Sequence, residues 1–136
     1  MAQHVGDRPA KVAETGMDRE HFAPSTLSDA MLEQVAARFR LLGEPLRLRL
    51  LIALEDGEHT VGELVALTQS GQANVSKHLA ALMQAGMLRR RKAGVSVYYA
   101  IADDSAFTLC DVVCAGLQQR LAAQVRAMGL SALTEN

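Results

Sequence analysis

The chain has 136 residues, 49% of them hydrophobic and 21% charged, with a net charge of −1, the balance of one ordinary globular domain. Aromatics make up only 4% and Trp is absent, so Ala and Leu must fill the interior, which favours helices over a β sandwich. The first 25 residues carry Arg8, Lys11 and Arg19 but no apolar run before a cleavage site, and even RLRLLIAL is broken by Arg47 and Arg49, so neither a secretory signal nor a membrane span is expected. The expectation is a cytoplasmic protein, whose thiols stay reduced.

Residues 1–25 mix Gly, Pro and charge without a sustained period and are expected to form a flexible tail. Thr26 and Asp29 have capping-box spacing, so a first helix is predicted from Leu27 to Leu42, with Met31, Val35, Phe39 and Leu42 on one stripe. Gly43 ends it, and Pro45 suits the first turn of a second helix closing near Asp56-Gly57. His59-Thr60-Val61 is long enough only for a single extended pairing. A third helix is predicted from Gly62 to Thr68, a break at Ser70-Gly71, and a fourth helix from Gln72 to Gln84 closed by Gly86. The period then becomes two: Leu88 to Lys92 and Val95 to Ile101 flank Ala93-Gly94 as a β-hairpin. A fifth helix starts around Asp103-Asp104 and runs to Met128, where Gly129 stops it. A single domain over 26–130 is expected, with a short tail at 131–136.

The third and fourth helices, joined by a Gly-containing break, have the form of a helix-turn-helix, whose second helix enters the DNA major groove. Val75, Leu79, Leu82 and Met83 give the fourth helix its inward stripe. Gln72, Ala73, Asn74, Ser76, Lys77 and Ala81 then face out, with Gln or Asn suited to adenine and Ser76 and Lys77 to phosphate. From Leu64 to Ala102 there is no Asp or Glu, yet Lys77, Arg89, Arg90, Arg91 and Lys92 fall inside. That window carries +5 while the rest of the chain carries −6, the segregation a polyanion-binding face requires.

The run QSGQANVSKHLAALMQAGMLRRRKAGVSVYYAI resembles the recognition helix and wing of the ArsR/SmtB-type winged-helix repressors, and LLGEPLRLRLLIALEDGEHTVGELVAL resembles their preceding helices. The resemblance covers about Leu27 to Ala127. It implies a mainly α fold with a small β-hairpin in the order ααααββα, a homodimer joined through the first and last helices, and a repressor released from double-stranded operator DNA by an inducer. Carried onto this chain, the DNA face would be Gln72, Asn74, Ser76, Lys77 and His78, with the wing near Arg91 and Lys92. His78 could instead fill the gap between the fourth helix and its neighbours. Strand alternation points Arg89 and Arg91 opposite to Arg90 and Lys92, so not all four can reach DNA. One of Tyr98 and Tyr99 is expected in the core and the other at the surface.

Many members of that family bind metal ions, but the familiar sites are missing here. There is no cysteine in Glu63 to Thr68. Asp103 is kept, yet no histidine follows His78, and the second helix lacks the cysteine of a persulfide sensor. What remains is LCDVVC, which holds both cysteines of the chain, Cys110 and Cys114, four apart on the apolar stripe Phe107, Cys110, Cys114, Leu117, Leu121 and Val125. Reduced Cys packs there as a small hydrophobe. Alternatively, two such seams in a dimer could gather up to four thiols, a soft-metal environment, with His4 and His21 of the tail as further donors. An intrahelical disulfide is disfavoured by Cβ vectors that aim apart.

The expectation is a dimeric DNA-binding repressor, not an enzyme, responding to a thiophilic ion (arsenic, antimony, cadmium or lead) at Cys110 and Cys114, with no membrane partner. Two alternatives stand beside it: the same repressor sensing a redox or reactive sulfur signal, and a winged-helix protein-interaction module that never touches DNA.

Overall fold

The computed structural model describes residues 26–129; the expected tails at 1–25 and 131–136, with His4 and His21, lie outside it. Helix α1 spans Asp29–Leu42. Its cap is Ser28, whose Oγ accepts from the Met31 N–H at 3.1 Å, so the Thr26 capping box expected from spacing does not form. Helix α2 spans Pro45–Ala53, with proline in its first turn and the Glu44 carboxylate accepting from Leu46 N–H at 2.8 Å. It ends before the predicted Asp56-Gly57.

Strand β1 is His59–Thr60, and α3 follows over Val61–Thr68. Its start is a reciprocal capping box: Thr60 Oγ1 accepts from Glu63 N–H, and the Glu63 carboxylate accepts from Thr60 N–H. The break after α3 falls on Gln69, left-handed at φ 55°, one residue before the expected Ser70-Gly71. Helix α4 occupies Gln72–Gln84, as the sequence predicts. Strands β2, Leu88–Ala93, and β3, Ser96–Ile101, form an antiparallel hairpin, and β1 adds to the far edge of β3, giving the order β1-β3-β2. Ala93 pairs with Ser96, so the turn residues are Gly94 and Val95 rather than Ala93-Gly94. Only Gly94 of the two takes positive φ, 63°, which suits the first central position of a II′ turn. Helix α5 spans Ser105–Ala127.

Leu50 and Leu51 from α2 with its C-terminal cap Leu54, Leu64 from α3, and Val75, Leu79 and Leu82 from α4 form the fully buried centre with Met87. Ala106 and Phe107 bring only the first turn of α5 into it. Helix α1 buries no residue fully, although Leu41 and Leu42 pack half-buried against that centre. Leu32 and Phe39 on α1 and Val112, Val113, Leu117 and Leu121 on α5 remain exposed, Leu117 to 62% and Leu121 to 59%. One protomer therefore builds its core from α2 to α4 and leaves the first and last helices with apolar faces uncovered. Among the described residues no helix is long and apolar enough to cross a membrane.

Candidate nucleic-acid interface

The residue that caps the start of α4 is Gly71, which has no side chain to bond the first N–H groups. Unsatisfied N–H groups and the positive end of the helix dipole are left for an outside acceptor such as phosphate. Gln72, Ala73, Asn74, Ser76 and Lys77 are all exposed around this first turn and a half, while Val75, Leu79 and Leu82 hold the opposite side in the core. Amides, a hydroxyl and an ammonium therefore share one open face, free of side-chain bulk. Lys77 has no ion-pair partner among the described residues.

His78 does not belong to that face. Its side chain is 6% exposed and lies on the inward stripe, three residues after Val75 and four before Leu82. Its Nδ1 accepts from Arg47 Nε at 3.0 Å, and the same guanidinium donates to the Leu41 carbonyl at 3.2 Å. Burial, then the Arg47 charge, pushes the His78 pKa below its ordinary value, against a smaller pull from Glu44. The i, i+3, i+4, i+7 spacing of Val75, His78, Leu79 and Leu82 puts His78 on the inward stripe, and of the two sequence readings it is the gap-filling one that holds. Because the depressed pKa means that the unfolded chain binds this proton more readily, His78 contributes stability above an unfolded value of about 6.5 and loses it as pH falls below that value. Thermal unfolding should show the fold weakening between pH 7.5 and 5.5, and His78→Gln should flatten that part of the profile. An unchanged slope in the variant would remove His78 as its cause.

Arg91 stretches across β3, its guanidinium 4.8 Å from the centre of the Tyr98 ring, to an ion pair with Glu58. The pair holds the Glu58 carboxyl below the usual range and pushes Arg91 up. The acid-free window is thus acid-free only along the chain: sheet order β1-β3-β2 returns Glu58 to it. Arg89 donates to the Ile101 carbonyl. Arg90 and Lys92, on the other face, are exposed with no such partner among the described residues, and Val95 stands fully exposed at the tip. Of the two wing residues expected at DNA, Lys92 is exposed and unpaired among the described residues, whereas Arg91 is exposed but paired with Glu58; Arg90 shares the face of Lys92. Tyr99 packs against the core and Tyr98 lies under Arg91.

A family model described as "Bacterial regulatory protein, arsR family" matches residues 44–90, from the start of α2 into β2. The "Transcriptional repressor SmtB homolog" of Synechocystis sp. is 33% identical over 96 residues, covering 71% of this chain and 73% of that protein. This chain belongs to the ArsR family. The "HTH-type transcriptional regulator CmtR" of Mycobacterium tuberculosis is 40% identical over 78 residues, 57% of this chain and 66% of the relative. A solved homodimeric winged helix-turn-helix DNA-binding domain from Mycobacterium bovis superposes with a TM-score of 0.59 at 30% identity, covering 71% of this chain and 92% of its own. The ArsR-family chain accordingly has the winged helix-turn-helix fold of a DNA-binding transcriptional repressor, and its Mycobacterium bovis neighbour is homodimeric.

The second expected site lies on α5. Cys110 is half-buried and Cys114 exposed, both as free thiols. They open onto an apolar groove of about 320 Å³ between α1, α2 and α5, with Phe39, Leu48, Val113 and Leu117 in its walls. Burial, then the charges of Asp111 and Cys114, raises the Cys110 thiol above its ordinary value. Asp111 Oδ2 is enclosed with no hydrogen-bond partner. No group of three potential ligands assembles among the described residues, so one protomer supplies two soft donors and no complete cage.

Proposed function

We propose that this repressor grips its operator through Gln72, Asn74, Ser76 and Lys77 of α4 and Arg90 and Lys92 of the wing, and lets go when a soft ion binds at Cys110 and Cys114. The observation that carries the DNA face is the exposed polar first turn of α4 beside the free wing cations. Amides on the helix read base edges, and the cations hold phosphates. Lys77, Arg90 and Lys92 of two protomers neutralise about six phosphates, so operator affinity should fall with salt along a log–log slope of about −5. Lys77→Ala should weaken all duplexes alike and flatten that slope, whereas Asn74→Ala should cost about 1–3 kcal/mol at particular base pairs. Equilibrium binding titrated from low to high salt checks this. Affinity indifferent to salt would exclude the face and favour the protein-interaction alternative.

The ion-sensing half rests on two thiols sharing one apolar groove at the uncovered helices. Thiolates prefer trivalent arsenic or antimony, cadmium or lead over manganese or magnesium. Two donors per protomer suffice only if the partner's seam supplies the remainder, which ties ion binding to the dimer's shape. A ligand shifts an equilibrium only as far as it prefers one form, so the ion must favour an arrangement of the seam that the operator disfavours.

A further inference from the structure

Helix α1 presents two stripes. One, with Phe39 and Leu42, borders the groove at the seam. The other, with Gln34, Ala37, Arg38 and Leu41, faces α4 across an open cleft of about 410 Å³ bounded on the far side by Ala81 and Gln84. Leu41 is half-buried against the core, but no residue of α1 is fully buried and the cleft stays open. The tie across it is polar. Arg38 Nη2 donates to the Ala85 carbonyl at 3.2 Å, and Ala85 is the C-terminal cap residue of α4. Arg38 Nη1 donates to Asp103 Oδ2 at 3.4 Å. The other oxygen, Asp103 Oδ1, accepts from Ser105 N–H at 2.9 Å and so holds the first residue of α5. One planar guanidinium thus joins α1, the end of the recognition helix and the start of α5, a two-partner reach that a lysine ammonium does not reproduce in one plane.

We infer that Arg38 is a positioning residue that transmits the geometry of the dimer seam to the recognition helix, and so sets the half-site spacing the dimer accepts. The helices it bridges to α4 are the two whose apolar faces stand uncovered in the protomer. Movement at the seam therefore reaches α4 through Arg38 at its C-terminal end, while Val75, Leu79 and Leu82 act as the pivot. Without the tie, each recognition helix keeps its core contacts but rocks about them. Fixed separation of the two helices is what makes a dimer selective for half-sites one helical turn apart.

The inference rests on operator binding by the dimer, and the test separates the two. The probe is the palindromic duplex selected by the native protein from a random-sequence pool, together with versions lengthened or shortened by one base pair between half-sites. The native protein should prefer the selected spacing. In Arg38→Gln the preference should collapse toward equal binding of all three, with affinity for the selected duplex down about tenfold, while sedimentation still reports a dimer and the unfolding midpoint stays near native. Asp103→Asn should shift the ratio the same way and add little to Arg38→Gln, as expected of members of one network. A merely structural role would weaken all three duplexes equally and leave the ratio intact. That outcome, or a native ratio in Arg38→Gln, overturns the inference. Failure of the native protein to select any duplex would instead overturn operator binding.

Discussion

Leu121→Glu should give a monomer that no longer holds its operator. Leu121 is exposed in the protomer, on the same α5 stripe as Leu117, and neither meets the core built by α2 to α4. Apolar side chains of this size are left open when a second copy covers them. A two-fold axis brings the substitution in twice, and burying each unpaired carboxylate costs several kcal/mol. About 5–6 kcal/mol in total lowers the association constant by about four orders of magnitude. Loss of DNA binding should follow, because a single recognition helix forfeits the gain from engaging two half-sites together. The fold itself should survive, since position 121 contributes nothing to the buried centre. Sedimentation at micromolar concentration, run beside circular dichroism, measures both. A Leu121→Glu protein that remains dimeric, or a native protein that is monomeric, contradicts the assignment of the seam to α1 and α5.

Cys110→Ser and Cys114→Ser should each bind operator as the native protein does and fail to release it when a soft ion is added. Both thiols line the groove between α1, α2 and α5, whose walls include no residue of α4 or the wing, so the proposed DNA face should be undisturbed. Release by about a hundredfold requires close to 3 kcal/mol of coupling between ion and operator, and serine, a poor ligand for soft ions, removes half the donors of each protomer. Burial raises the Cys110 thiol, so the ion must displace a proton held more firmly than usual. Metal binding to such a ligand weakens as protons compete. The ion concentration that gives half-release should therefore rise as pH falls from about 8 to about 6, and manganese should have no effect at any pH. Fluorescence anisotropy of a labelled operator, titrated with cadmium or arsenite, reads all three. If both variants release as readily as native, the cysteines only pack the groove. Release by a sulfur oxidant with no response to the ions would support the redox alternative instead.

Much of the architecture was legible from local chemistry. Gly71 and Gly86 bracket α4, Pro45 opens α2, and alternation from Leu88 onward marks the hairpin, so element existence followed from periodicity and punctuation. Misplaced boundaries trace to neighbouring residues that compete for one role. Ser28 rather than Thr26 caps α1, because the cap whose oxygen meets the N–H three residues on is selected by the backbone's entry angle. Gln69 takes the left-handed position that ends α3, one residue before the break expected at Ser70-Gly71, where the chain turns onto α4.

The exposed polar face of α4 was legible because the spacing of its amides and Lys77 is set by the helix alone. What only tertiary structure decided are the partners of charges far apart in sequence. Arg91 and Glu58, 33 residues apart, meet because β3 lies between β1 and β2. Arg47 reaches His78 because α2 and α4 share a core. Arg38 reaches Ala85 and Asp103, 47 and 65 residues away, because three helix ends converge at one point. Periodicity assigns a residue to a face, and its hydrophobicity says whether that face is inward. Which cation a given acid or carbonyl neutralises depends on packing between elements, which no local pattern encodes.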